Sequence, residues 1–183
     1  MEIKKTKIEG LFILEPKVFG DDRGYFIEAY KESFFKENFP KLKFNQVNES
    51  KSSKGVLRGI HFQKPPLDQT KLCRVILGEV LDVAVDLRKD SQTYGMYESF
   101  RLSGDNKKQL LIPSGFGHGF VVLSDFAVFQ YYVDNPYSPE HEDGLIYNDA
   151  DLNIDWEIDN SLIKLSERDN FLDTLKIKKD KDE

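Results

Sequence analysis

The chain is poor in the residues that most often announce a site. It has one cysteine, Cys73, in 183 residues. A single thiol excludes an intrachain disulfide and a zinc cage of the Cys-x-x-Cys type. It also fits a reducing cytoplasm, the expected location. Histidine is scarce, with three copies at His61, His118 and His141. Long apolar runs are missing. The N-terminal stretch "MEIKKTKIEGLFILEPK" has only Leu11 to Leu14 in succession, too short for a signal peptide core. No run approaches the ~18 apolar residues of a transmembrane helix. Positive charge is outnumbered, 26 basic against 32 acidic residues, for a net charge of −6. Neither nucleic acid nor an acidic membrane surface is an expected partner. An anionic ligand must be held by a local cluster of cations.

Aromatic residues are plentiful, with 14 phenylalanines and 8 tyrosines. Bulky rings suit strands. The length favours one domain, 1–183, with a charged, frayed tail from about residue 177. "DDRGYFIEAY" opens on turn residues and then alternates, which puts Phe26, Glu28 and Tyr30 on one face. "KESFFKENF" reads as a short helix and "FNQVNES" as a polar edge strand. In "GVLRGIHFQ" alternation sends Leu57, His61 and Gln63 one way, and Arg58, Ile60 and Phe62 the other. "LCRVILGEVLDVAVDLR" is the strongest strand pair, with a hairpin turn at Gly78-Glu79 and Leu81, Val83, Val85 and Leu87 on one face. Further strand–turn–strand units turn at Gly104-Asp105-Asn106 and at Ser124-Asp125. "SERDNFLDTLKIKK" reads as a helix capped by Ser166, with Phe171, Leu172 and Leu175 apolar. Short strands at even spacing indicate an antiparallel sandwich or barrel such as a jelly roll.

Several residues admit two readings. His61 in "RGIHFQ" and His118 in "PSGFGHGF" could be metal ligands, but the sequence offers no third or fourth ligand beside them. They could be satisfied core histidines. The glycines around both, Gly59 and Gly115, Gly117 and Gly119, point instead to close approach of a ligand. Lys71 is either an edge lysine with a buried stem or a positioned cation. Tyr131, alternating with Phe129 and Val133, is either a core tyrosine or an acid. Asp169 follows Ser166 at capping-box spacing, which would give it a purely local role.

The joint pattern narrows these choices. "DDRGYFIEAY", "GVLRGIHFQ", "QTKLCRVILGEVLDVAVDLRKDSQTYG", "LIPSGFGHGFVVLSD", "YSPEHEDG", "DADLNIDW" and "LSERD" resemble the nucleotide-sugar 3,5-epimerases of the dTDP-4-dehydrorhamnose 3,5-epimerase family, a cupin-like group. The resemblance covers most of the chain. It implies a mainly β fold, a cupin-type antiparallel jelly-roll barrel with short flanking helices and a C-terminal helix. It implies a homodimer that exchanges an N-terminal strand, and no metal or cofactor. The substrate it implies is a nucleoside-diphosphate 4-keto-6-deoxy sugar.

By the same resemblance His61 is the base, Asp169 orients it, Lys71 sits near the sugar ketone and Tyr131 is the acid. Arg23, Glu28, Gln46, Asn48, Arg58, His118, Glu142 and Arg168 contact substrate, and Tyr137 stacks on the nucleotide base. The chain departs from the family pattern at Val47, Tyr132 and Pro136. These departures leave open epimerisation at C3 alone, or a GDP-linked heptose as substrate. A non-catalytic sugar-nucleotide-binding cupin and a metal-dependent cupin enzyme are the rivals from other classes.

Overall fold

In this computed structural model the described residues are 1–182, with side chains described to Lys178. The N-terminal part holds β1 (Glu2–Lys5), β2 (Phe12–Glu15), β3 (Val18–Asp21), β4 (Gly24–Ile27) and the helix α1 (Glu32–Asn38). Then come β5 (Gln46–Ser53), β6 (Leu57–Gln63), β7 (Lys71–Leu77), β8 (Glu79–Asp86) and β9 (Tyr97–Ser103). They are followed by β10 (Gln109–Ile112), β11 (Phe116–Val122), β12 (Phe126–Val133) and β13 (Glu142–Gly144). Short 3-10 turns at Asn160–Leu162 and Arg168–Phe171 precede the helix α2 (Leu175–Asp182).

The strands form a six-stranded sheet, β1-β2-β10-β7-β12-β5, and a five-stranded sheet, β13-β6-β11-β8-β9. Their pairings are antiparallel, and the architecture is a mainly β, cupin-like jelly roll. The sheets close on a shared core that includes Val75, Ala84, Leu110, Phe116, Phe120 and Phe129. The outer face of the five-stranded sheet is covered too. Leu81, Val83 and Val85 pack there against Leu152, Trp156 and Leu87, as alternation along β8 predicts. On the other side, α1 lays Phe35 over Leu14, Leu72 and Leu111. Two covered faces explain why β8 and β11 are almost continuously buried.

Several local expectations are corrected. Gly78 does not close a hairpin: β7 and β8 belong to different sheets. Gly78 has φ +81, and a Cβ there would lie 2.0 Å from the Phe126 carbonyl oxygen, so the chain turns a corner that only glycine fits. The turns at Gly104 and at Ser124-Asp125 likewise carry the chain from one sheet to the other.

The face shared by Phe26, Glu28 and Tyr30 does not form, because β4 ends at Ile27. Phe26 is exposed, and Tyr30 instead stacks on Phe35 and Tyr132. The helix expected from Ser166 is interrupted. Asp173 makes a bridge with Leu145 and accepts the Ile146 amide, so the sheet takes backbone groups that a continuous helix would use. Phe171 is therefore exposed, whereas Leu175 packs onto the outer core. The tail expected to fray from residue 177 is helical to Asp182, and Glu183 lies outside the described residues.

Candidate active site

A bulge in β6 builds one wall of the site. His61 lies opposite His118 and Arg58 opposite Phe120, so Gly59 and Ile60 together face Gly119 alone. The extra residue breaks simple alternation. Leu57 and Ile60 now enter the same outer core, and Arg58 turns to the cleft with His61 and Gln63. This corrects the faces expected for Leu57, Arg58 and Ile60. Gly59 accommodates the bulge at φ +110, where a Cβ would meet the His118 carbonyl oxygen at 2.6 Å.

The cleft has a volume of about 320 Å³ and opens between the two sheets. His61 Nε2 lies 2.8 Å from Asp169 Oδ1, a close contact that is not aligned as a hydrogen bond. The other oxygen, Asp169 Oδ2, accepts from Ser166 Oγ at 2.8 Å, and Ser166 Oγ accepts the Asp169 amide at 3.2 Å. The capping-type contact and the histidine contact therefore coexist, one on each carboxylate oxygen. Burial works against the Asp169 carboxylate, but His61 and Ser166 outweigh it and hold its pKa below the usual value. On the other side of the ring, His61 Nδ1 is 3.8 Å from Glu142 Oε1. Glu142 Oε2 accepts from Tyr137 Oη at 2.6 Å and from the Arg168 guanidinium.

Lys71 opens β7 and is buried, and its Nζ is 3.4 Å from the His61 carbonyl oxygen. Burial lowers its pKa, against the pull of Cys73, Asp82 and Glu142. Tyr131 enters the cleft from β12, and burial pushes its phenol up while Asn48 pulls it down. Its neighbour Tyr132 points to the opposite face, stacked 5.1 Å from Tyr30. That aromatic cluster explains a tyrosine where the family pattern has lysine.

His118 lies on the cleft floor, its Nε2 2.8 Å from Asp82 Oδ1 and its ring stacked on Phe129. Burial lowers its pKa, with Asp82 opposing. Asp82 was not singled out from the sequence. The signal was present: an acidic residue inside "EVLDVAVD" is costly to bury unless a partner waits for it.

Asn48, Arg58, Tyr137, Glu142 and Arg168 line the cleft with the four residues of the expected catalytic set and His118. Three expected contacts do not. Gln46 is not part of its lining, and donates instead to Asn48 Oδ1 at 2.8 Å. Arg23 sits on the β3–β4 hairpin, paired with Asp21, and Glu28 is paired with Lys31 at 3.1 Å. A larger cavity of about 560 Å³ lies beside α2, but neither His61 nor His118 lines it.

This geometry of two histidine–carboxylate pairs, a buried lysine and a buried tyrosine can be set against known proteins. The chain matches the sequence profile described as dTDP-4-dehydrorhamnose 3,5-epimerase over residues 5–176. It belongs to the dTDP-4-dehydrorhamnose 3,5-epimerase family. A family member from Shigella flexneri is 50% identical over 170 residues, covering 92% of this chain and 93% of the relative. The crystal structure of dTDP-4-dehydrorhamnose 3,5-epimerase from Elizabethkingia anophelis is 48% identical, with a TM-score of 0.92 over 97% of this chain and 98% of the other. A dTDP-6-deoxy-D-glucose-3,5-epimerase from Legionella pneumophila, solved in complex with dTDP-4-keto-L-rhamnose, is 44% identical with a TM-score of 0.92, covering 96% of this chain and 93% of that one.

Proposed function

We propose that this epimerase-family chain inverts C3 and C5 of dTDP-4-dehydro-6-deoxyglucose to give dTDP-4-dehydrorhamnose, through an enolate and without a cofactor. The hydrogens at C3 and C5 are acidic because both flank the C4 ketone. Inversion needs a base on one face of the sugar and an acid on the other. The observation that supports the reading most is that His61 projects from the five-stranded sheet and Tyr131 from the six-stranded sheet into one cleft.

In this reading His61 removes the proton, and Asp169 is the positioning residue that fixes the imidazole and supports its charged form. Lys71 faces the enolate oxygen, a role in which one lost donor typically costs ~3–4 kcal/mol, and His118 contacts the substrate from the cleft floor. Tyr131 delivers the new proton. Arg58 and Arg168 bind the diphosphate, where guanidinium forks match phosphate oxygens. Tyr137 stacks on the base, with Asn48 and Glu142 as further contacts.

Arg23 and Glu28 reach substrate by way of a homodimer. The β3–β4 hairpin exposes apolar side chains, with Phe19 50%, Tyr25 55% and Phe26 64% exposed. Docked on a second copy, it would bring both residues to that copy's cleft. The enzyme acts as one catalytic domain, since both sheets share one core. Among the described residues no helix is long and apolar enough to cross a membrane, and we assign the protein to the cytoplasm.

The test is incubation with dTDP- and GDP-linked 4-keto-6-deoxy sugars in deuterated water, followed by NMR and mass spectrometry. Deuterium at both C3 and C5 of an inverted dTDP sugar is expected. Incorporation at C3 alone would identify a 3-epimerase. Absence of exchange with every substrate would leave a binding protein.

A further inference from the structure

Cys73 is not needed by the reaction, yet it lies against the floor of the site. Its Sγ is 3.8 Å from His118 Nε2. Asp82 Oδ1 lies 2.8 Å from that same nitrogen. Thiol and carboxylate therefore converge on one ring atom. A proton relay would have them face different ring nitrogens. A metal ion requires donors clustered around one position, and one donor atom from each of the three residues lies within 4.8 Å of the others. Cys73 and Asp82 are fully buried, and the second Asp82 oxygen has no hydrogen-bond partner. A buried carboxylate oxygen left unpaired is costly and invites a cation.

We propose that Cys73, Asp82 and His118 form a binding site for a thiophilic divalent cation of the zinc class, and that its occupation inhibits the enzyme reversibly. The sulfur, nitrogen and oxygen donors suit zinc, cadmium or cobalt and disfavour magnesium and calcium. On binding, the Cys73 S–H bond breaks, an S–metal bond forms and the proton leaves to solvent. Thiolate and carboxylate then neutralise the two positive charges, which makes the assembly tolerable in an apolar core. His118 coordinates as the neutral ring through Nε2: the proton this nitrogen holds against Asp82 Oδ1 leaves to solvent while Nδ1 takes one up, so the Cys73 proton is the only net proton released.

Bond lengths of ~2.0–2.3 Å imply donor separations of roughly 3.3–3.7 Å in a tetrahedral site. The sulfur–nitrogen distance is already close to this, and the carboxylate has to withdraw slightly from the imidazole. His118 lines the cleft, so the ion enters from the substrate side and the fourth position faces the cleft. Two groups resist it. Burial pushes the Cys73 thiol up, so the metal must displace a firmly held proton. Lys71 adds positive charge beside Cys73 and Asp82. Both keep the site empty at low metal concentration and reserve it for strong thiophiles.

The inhibition rests on the proposed role of His118, but the binding does not, and the two are read separately. Chelator-treated protein is titrated with Co²⁺, and the thiolate-to-cobalt charge-transfer band is recorded. Cys73 is the only cysteine, so the band reports this site alone. One cobalt per chain is expected, with the band displaced by Zn²⁺ and absent from Cys73→Val and Cys73→Ser. Zn²⁺ should inhibit substrate turnover, with reversal by EDTA and at least ~10-fold weaker inhibition of both variants, a shift of about 1.4 kcal/mol or more. No band from the native protein, or equal Zn²⁺ inhibition of native and variant enzymes, would overturn the proposal. A band from a protein that turns over no 4-keto sugar would uphold the metal site and overturn the epimerase reading instead.

Discussion

Tyr131 and His61 carry opposite halves of the proposed reaction, and their variants should differ in kind. His61→Asn removes the base, so deuterium exchange and inversion should fall together, by ~10²–10⁴-fold. Tyr131→Phe removes a hydroxyl and little volume. His61 can still abstract a proton and return one to the same face. Inversion should fall by ~10²-fold or more while exchange falls much less. Equal losses in the Tyr131 variant would reassign the residue to binding. Tyr132 cannot substitute for it, since it faces the aromatic cluster around Tyr30 and Phe44. Asp169→Asn should impair turnover with little change in the denaturation midpoint. A loss of ~1 kcal/mol with activity intact would leave Asp169 only the local role of closing the turn after Ser166.

At the scale of elements, two features are open to direct test. The first is the β6 bulge. Gly59→Ala would press a methyl group against the His118 carbonyl oxygen and the Gly119 Cα, each at 2.6 Å, in a backbone region that side chains avoid. Destabilisation of about 2–3 kcal/mol is expected from strain and overlap, with turnover lost as His61 moves. Urea denaturation and a turnover assay on the same sample measure both. The second is the corner after β8. Asp86 is buried and accepts hydrogen bonds from Arg88, Ser91 and Thr93. Burial opposes its ionisation, but these bonds prevail and bring its pKa down to about 2. A depressed folded-state pKa stabilises the fold above the unfolded value near 3.8 and ceases to do so as pH falls through the folded value. The contribution is roughly 2 kcal/mol. The stability gap between native protein and Asp86→Asn should therefore close between about pH 4 and 2, as followed by chemical denaturation.

For the whole molecule, the exposed β3–β4 hairpin is the feature that a lone chain leaves unexplained. Four aromatic and branched side chains, Val18, Phe19, Tyr25 and Phe26, stand uncovered on it. Small-angle scattering should give a dimer at micromolar concentration. Phe26→Asp should shift the population toward monomer and raise KM, because Arg23 and Glu28 would leave the partner's cleft. A native protein that scatters as a monomer would remove the hairpin docking and leave those two residues without a role.

Short-range order was legible in the chain itself. Alternation identified the outer face of β8 through Leu81, Val83 and Val85, and glycines flanked both site histidines. The motifs around His61, Lys71, Tyr131 and Asp169 pointed to residues that the fold gathers in one cleft. These features depend on neighbours two to a few residues away, which a sequence displays directly. Which sheet each strand joins was not legible. Gly78 looks like a hairpin turn because turn residues report a reversal and not the partner that follows it. The bulge at Gly59 was hidden for a related reason: a period of two cannot register the extra residue until the opposing strand is known. The convergence of Cys73 and Asp82 on His118 was settled only by long-range pairing, β7 on one wall and β8 with β11 on the other. A buried charge needs a partner, but the sequence does not say which distant strand supplies it.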